Sequence, residues 1–405
     1  MAVNLPCSAP ASICKQRNQS GKNQSAEQAH SAILPRVISR FKKPVEIPRH
    51  CFILCPSPNS MLKFLPICFL GLCLSGSVAF GAAGTDNTYL LGPDSASHPG
   101  VPKGKVIGPT ALPSNIFTNT TRDYWVYVPA QYNPTNPACL MVFQDGFAYV
   151  DTTTPNAEFF IPYVFDNLIY RREMPVTIGV FINAGHNPNN PNQKEPSYAD
   201  WGDRVANRGS EYNTMDDKYA RMIIEELMPV LTKQYNISPD PANHGIVGAS
   251  SGAICAFTVA WQRPDQFRKV ISSIGTFTGR GAAYPDMVRT NAPKPIRVFL
   301  CDGVNDMANR GIRNGQYDPT RDWHAQNIRM MEALTTQKYD VNFVWGIGTH
   351  SHRQAGAIMP EMLRWLWRDY PRIDDPKDNS NRVLFVPPGY TPETNAPGPN
   401  PVLPK

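Results

Sequence analysis

The body of this 405-residue chain has almost no net charge, few cysteines and no long apolar run. The formal charge of +6 belongs to the first 81 residues, which carry nine Lys or Arg and only two Asp or Glu; the rest carries 30 basic and 31 acidic side chains. A body this close to neutrality has no basic stripe to track phosphates, so nucleic acid is not an expected partner. Six of the nine cysteines also precede residue 82, which leaves Cys139, Cys255 and Cys301 far apart. Three such cysteines make neither a disulfide framework nor a zinc motif, so no metal or other cofactor is expected. Two of them sit in apolar runs and all three read as small core hydrophobes. No internal repeat is present.

The one apolar run is MLKFLPICFLGLCLSGSVAFGAA, residues 61–83. A methionine, a lysine, a short apolar stretch and then small residues make a secretory signal peptide, with the cut expected after Gly81. The run is short for a membrane span and polar residues follow at once, so no stable membrane insertion is expected after cleavage. A secreted or periplasmic location follows. Residues 1–60 are polar and aperiodic and read as a non-native or disordered extension, with Met61 the expected start. Residues 373–405 are rich in proline and read as an extended tail. The folded domain is expected over 95–372.

Within that domain short apolar runs alternate with helical patterns. RDYWVYVPAQY reads as an edge strand, while 138–144, 175–183, 245–249, 268–275, 296–301 and 341–347 read as strands buried on both faces. Helical spacing is found at 218–235, 251–262, 322–337 and 356–369. Alternation of this kind predicts an α/β fold with a mostly parallel sheet and helices on both faces. The site is then expected in the loops beyond the carboxyl ends of the strands.

One of those loops is GASSG, with an apolar strand before it and a small-residue helix after it. G-x-S-x-G in that context is a nucleophile elbow, with Ser250 as nucleophile and the Ser251 N–H as an oxyanion donor. The base should be a histidine further along. His350 and His352 lie in the loop after the last strand; Gly348-Thr349 directly before it favours His350, with His352 the alternate. The acid is expected after the strand 296–301, where Asp306 is favoured and Asp302, at the strand end, is the alternate. Gly146 permits a sharp turn in QDGFAY, and the N–H of Phe147 is the expected second oxyanion donor.

Taken together, DG-F at 145–147, R-x-x-EY at 208–212, EELMP at 225–229, GASSGA at 248–253, DGVND at 302–306 and GTH at 348–350 resemble the putative esterase family. That family groups enterochelin esterases, feruloyl and acetyl-xylan esterases, esterase D and mycolyltransferases, and the enterochelin esterase-like branch is the most similar. The resemblance spans roughly residues 105–370. It implies an α/β-hydrolase with Ser250, Asp306 and His350 as its triad, cleaving an ester through an acyl-enzyme. Arg208 and Glu211 are expected to form a structural ion pair. Only residues 276–295 lie between two successive strands, too few for a large cap domain. The resulting open site, with Tyr149, Trp201, Tyr212 and Trp323 as expected substrate-binding aromatics, suits a bulky small-molecule or polysaccharide ester, such as a carbohydrate ester or siderophore lactone. An acyltransferase and a non-catalytic carbohydrate- or siderophore-binding protein are the competing readings.

Overall fold

The computed structural model describes residues 86–369, apart from 201, 203 and 204. The extension 1–60, the expected leader 61–83 and the tail 373–405 lie outside the described residues. Ordered structure is already present at Asp86, ahead of the expected start at 95, in two short 3-10 turns, Asp86–Thr88 and Pro93–Ser95.

Eight strands form one sheet in the order β1-β2-β4-β3-β5-β6-β7-β10. They are β1 (Lys105–Ser114), β2 (Thr120–Val128), β3 (Cys139–Gln144), β4 (Thr177–Ile182), β5 (His244–Ala249), β6 (Lys269–Ser273), β7 (Arg297–Gly303) and β10 (Asp340–Gly346). From β4 to β10 every pairing is parallel, and β1 and β2 join antiparallel at one side. A two-stranded ribbon, β8 (Ile312–Arg313) and β9 (Gln316–Tyr317), stands apart from the sheet. The helices are α1 (Gly146–Val150), α2 (Ile161–Tyr170), α3 (Arg208–Tyr212), α4 (Lys218–Arg221), α5 (Met228–Thr232), α6 (Ser251–Gln262), α7 (Gly279–Thr290), α8 (Trp323–Thr336) and α9 (Arg353–Leu366).

The strands are near-continuous apolar runs because both faces of the sheet are covered. Successive residues of β3 enter opposite cores: Leu140 and Val142 pack on one face, Cys139, Met141 and Phe143 on the other. The same period of two divides Val298 and Leu300 from Phe299 and Cys301 on β7. Cys139, Cys255 and Cys301 are buried and unbridged, as small core side chains. Each large side chain so buried contributes roughly 1.5–3 kcal/mol against leaving it in water.

Two expectations change. The run at 122–132 is not the edge: β1 lies outside β2, where the sequence shows no alternation. Pro109 and Pro113 on β1 have no N–H for a further neighbour, which suits an edge strand. The single helix expected at 218–235 is α4 and α5 joined by a π-helical segment, Met222–Leu227. Pro229 has no N–H to return to the preceding turn, and the widened segment comes just before it. Between β6 and β7 the only helix is α7, which packs on α8; no cap domain stands over the sheet among the described residues.

Candidate active site

The carboxyl ends of β3, β4, β5, β7 and β10 converge on one edge of the sheet, and the polar loops gather there. Ser250 sits between β5 and α6 with φ 59° and ψ −126°, a backbone conformation strained for a residue with a side chain. Its N–H donates to Ser273 O at 3.0 Å on β6, which pins the turn. Gly248 makes the turn possible: a Cβ there would meet Gly252 O at 2.1 Å, so strand and helix could not approach. Ser251 opens α6, and the Ser250 carbonyl accepts from Ala253 N at 3.0 Å to start the helix.

Three side chains from three distant segments meet at this turn. Ser250 Oγ is 2.9 Å from His350 Nε2, and His350 Nδ1 is 2.6 Å from Asp306 Oδ1. Asp306 is fully buried, while the His350 side chain keeps 23% of its surface exposed. The acid and base loops are joined by their backbones. Val304 N donates to Gly346 O, Asn305 N to Gly348 O, and the Asn305 side chain to Ile347 O at 2.7 Å. Gly303 and Gly348 touch, so that a Cβ on Gly303 would lie 2.1 Å from Gly348 O. The glycines of DGVND and GTH therefore have a packing reason. Trp323, first residue of α8, sets its ring edge-to-face on His350 at 4.5 Å.

The alternates have other roles. His352 is buried against the ring of Phe159, with Nδ1 3.7 Å from Glu158. Burial, with help from the nearby His350 and Arg208 charges, pushes its imidazole down to about 3. Asp302 is buried beneath Asp306, accepts from its neighbour Gly303 N at 2.8 Å and lies 3.1 Å from His324 Nδ1.

The loop after β3 holds a correction. Phe147 N–H donates to Asn183 Oδ1 at 3.1 Å, so the expected second oxyanion donor is already engaged. Asn183, at the end of β4, in turn donates to Glu195 Oε1 at 2.6 Å, and Glu195 faces His186 Nδ1 at 2.8 Å. Burial raises Glu195 to about 7. Asp145, in the left-handed region at φ 57°, is clamped by Arg208 through two bonds of 2.9 and 2.8 Å. Arg208 and Glu211 therefore do not pair with each other: Glu211 binds Arg122 at 2.6 Å instead, with both side chains fully buried. Removing one partner from such a buried pair costs about 3–5 kcal/mol.

Of the three expected substrate aromatics among the described residues, only Trp323 lies at the site. Tyr149 is fully buried, stacked on Phe159 at 4.1 Å, and Tyr212 is fully buried edge-to-face on Tyr219. Sequence position at a strand end did not distinguish a ring pointing into the core from one facing the site. Trp201 lies outside the described residues.

Residues 114–356 match the family model described as Putative esterase. The chain belongs to that family. It has an α/β-hydrolase fold. Among solved structures it is similar to the enterobactin esterase FES from Shigella flexneri, with a TM-score of 0.52 at 16% identity, over 68% of this chain and 61% of that one. It is also similar to the ferric enterobactin esterase of Salmonella typhimurium, with a TM-score of 0.50 at 17% identity, over 68% of this chain and 60% of that one. The chain thus spans about three fifths of the length of these esterases. The uncharacterized protein YbbA of Bacillus subtilis (strain 168) is 21% identical over 179 residues, 44% of this chain and 70% of that protein.

A cavity of about 460 Å³ is lined on one side by Phe147 and His352. Tyr89 and Leu91, from the segment ahead of β1, form one wall, and Phe147 and Tyr198 pack edge-to-face at 5.1 Å on another. Glu158 and Arg353, 3.3 Å apart, supply the polar side. The segment 86–91 also holds the base loop: Asp86 accepts from Thr349 N at 2.8 Å and from the Thr349 hydroxyl, and Tyr89 Oη accepts from Ile347 N at 2.7 Å. No periodicity or motif in the sequence marks this segment. Asn183 and Glu195 were missed for a similar reason, since neither sits in a motif and their partners are distant. Among the described residues no group of three His, Cys, Asp or Glu is placed to hold a metal, and no helix is long and apolar enough to cross a membrane.

Proposed function

We propose that this esterase is a serine hydrolase working through Ser250, His350 and Asp306, and that its substrate is a bulky carbohydrate ester or siderophore lactone. The observation that carries the reading is the unbroken hydrogen-bonded series from Ser250 Oγ through His350 to buried Asp306, at 2.9 and 2.6 Å. With the imidazole proton on Nδ1, held by Asp306, Nε2 accepts the hydroxyl proton as Oγ attacks the ester carbonyl. The Ser251 N–H at the start of α6 stabilises the resulting oxyanion. His350 then protonates the leaving alcohol, and the acyl-enzyme is hydrolysed by a water that His350 activates.

The absence of a cap domain among the described residues and the cavity of about 460 Å³ favour a large substrate. Trp323 on one side and the cavity on the other offer separate surfaces for the acyl and alcohol parts. The related Shigella enzyme, solved in the presence of enterobactin, supports the lactone side of the proposal. Secretion to the periplasm or beyond, by the run at 61–83, fits such substrates.

The test is labelling by a fluorophosphonate together with turnover of acetyl, feruloyl and catecholate-lactone esters. Ser250→Ala is expected to lose both label and turnover, with kcat down by at least about 10⁴-fold, while Ser251→Ala keeps its label. Full turnover in Ser250→Ala would overturn the assignment, and acyl transfer to an added sugar alcohol in preference to water would make the enzyme a transferase.

A further inference from the structure

The short helix α3 carries R-x-x-E-Y, a motif that the triad does not use. Two of its side chains converge on Asp145, the first residue after β3. Arg208 Nε donates to Asp145 Oδ1 at 2.9 Å and Nη2 to Oδ2 at 2.8 Å, a two-pronged pair buried on both sides. The Tyr212 hydroxyl accepts from Asp145 N at 3.3 Å, and the guanidinium lies over the Tyr212 ring at 5.4 Å. Asp145 is held in the left-handed region at φ 57°, a strain that its neighbours must outweigh. The pair also lies against the nucleophile turn. A Cβ on Gly252, the last glycine of G-x-S-x-G, would stand 3.1 Å from Asp145 Oδ2 and 3.2 Å from Gln144 Cβ. That glycine therefore leaves room for the Asp145 carboxylate at the first turn of α6. Arg208 Nη2 also lies 3.5 Å from Ala249 O, the carbonyl directly before Ser250. One guanidinium thus meets both the loop after β3 and the strand end that carries the nucleophile.

We propose that Arg208 and Tyr212 are positioning residues for Ser250: through Asp145 they lock the loop after β3 against the first turn of α6, and the guanidinium balances a carboxylate that would oppose the forming oxyanion. This rests on the triad reading above. The Ser251 N–H faces a negative oxygen as it forms, and a bare carboxylate buried at the same turn raises the energy of that charge. Lysine could supply a counter-charge, but only a guanidinium fork meets both carboxylate oxygens and still reaches a third acceptor. Tyr212 holds the Asp145 backbone while Arg208 holds its side chain, so Asp145 does not relax out of the left-handed region. Glu211, between them in the motif, pairs with Arg122 and takes no part.

Steady-state kinetics, fluorophosphonate labelling rates and Tm of the full chain decide it, since a merely structural pair moves Tm alone. Arg208→Lys keeps the charge and loses the fork. Its kcat and labelling rate are expected to fall together by about 30-fold, with KM within about threefold. Tyr212→Phe removes one hydroxyl and is expected to lower kcat by about three- to tenfold. Arg208→Met leaves Asp145 without a counter-charge and is expected to lose about 10³-fold in kcat; adding Asp145→Asn regains at least about tenfold, because an amide needs no counter-charge. Wild-type kcat and labelling in Arg208→Lys, with only Tm lowered, would make the pair purely structural and overturn the proposal. No recovery in the double variant would remove its charge-balancing half. Should Arg208→Met alone not fold, folding and labelling of the double variant read the same rescue. Each of these failures leaves the triad standing, whereas full turnover in Ser250→Ala removes the triad itself.

Discussion

His350 and His352 share a loop and a chemistry, yet two positions apart they differ in environment. His350 keeps a polar partner on each nitrogen and an edge in solvent. His352 faces Phe159 and the wall of the cavity, where a charge would be poorly solvated. The difference has a sign that can be measured. Its pKa falls from 6.5 unfolded to about 3 folded, so the native state binds fewer protons between those values. Stability is whole above about pH 6.5 and is lost as pH falls towards 3, by about 2 kcal/mol at pH 5. His352→Phe, which cannot take up the proton, is expected to show a shallower loss of Tm between pH 7 and pH 5 than the wild type. Parallel Tm curves for the two proteins would contradict this account.

At the scale of elements, the site depends on how closely loops can approach. The acid loop after β7 and the base loop after β10 are adjacent because their strands pair in parallel along the whole register from Arg297–Asp340 to Gly303–Gly346. Beyond the last pair the loops continue the contact through Gly303 and Gly348, with no room for a side chain. Gly303→Ala must push the two backbones apart. It is expected to cost about 1–3 kcal/mol as an overpacked site and to lower kcat more than KM, since Asp306 and His350 ride on the two loops. Thermal melting with steady-state kinetics checks both; an unchanged kcat would show that the loops can separate without misaligning the pair. The loop after β3 is held differently, by charge: Arg208 from α3 grips Asp145 just before α1.

Across the molecule, the base loop is tied to a segment 263 residues away in sequence. Asp86 takes both the N–H and the hydroxyl of Thr349, next to His350, and Tyr89 takes the N–H of Ile347. The same segment walls the cavity, so substrate binding and base alignment share one support. Asp86→Ala leaves the Thr349 donors to partial solvent at a cost of about 1–2 kcal/mol. The expected outcome is a fall of about tenfold in kcat from a base loop that wanders, read by single-turnover kinetics on the purified chain. A variant with wild-type kcat and only a lower Tm would make the contact purely structural.

Much of this was legible in one dimension. The alternation of apolar runs with helical patterns determined the parallel α/β sheet, because strands covered on both faces must be apolar throughout. Local motifs singled out Ser250, Asp306 and His350, because an elbow, an Asp-Gly loop and a Gly-Thr-His loop are short-range devices written in consecutive residues. Where a side chain points and what it meets across the sheet is not written that way. Tyr149 and Tyr212 turned into the core, Arg208 and Glu211 took different partners, and β1 took the edge. Asp86, Asn183 and Glu195 reached the site from segments with no pattern of their own. Only tertiary structure decided these, since burial and charge pairing depend on surfaces that distant parts of the chain bring together.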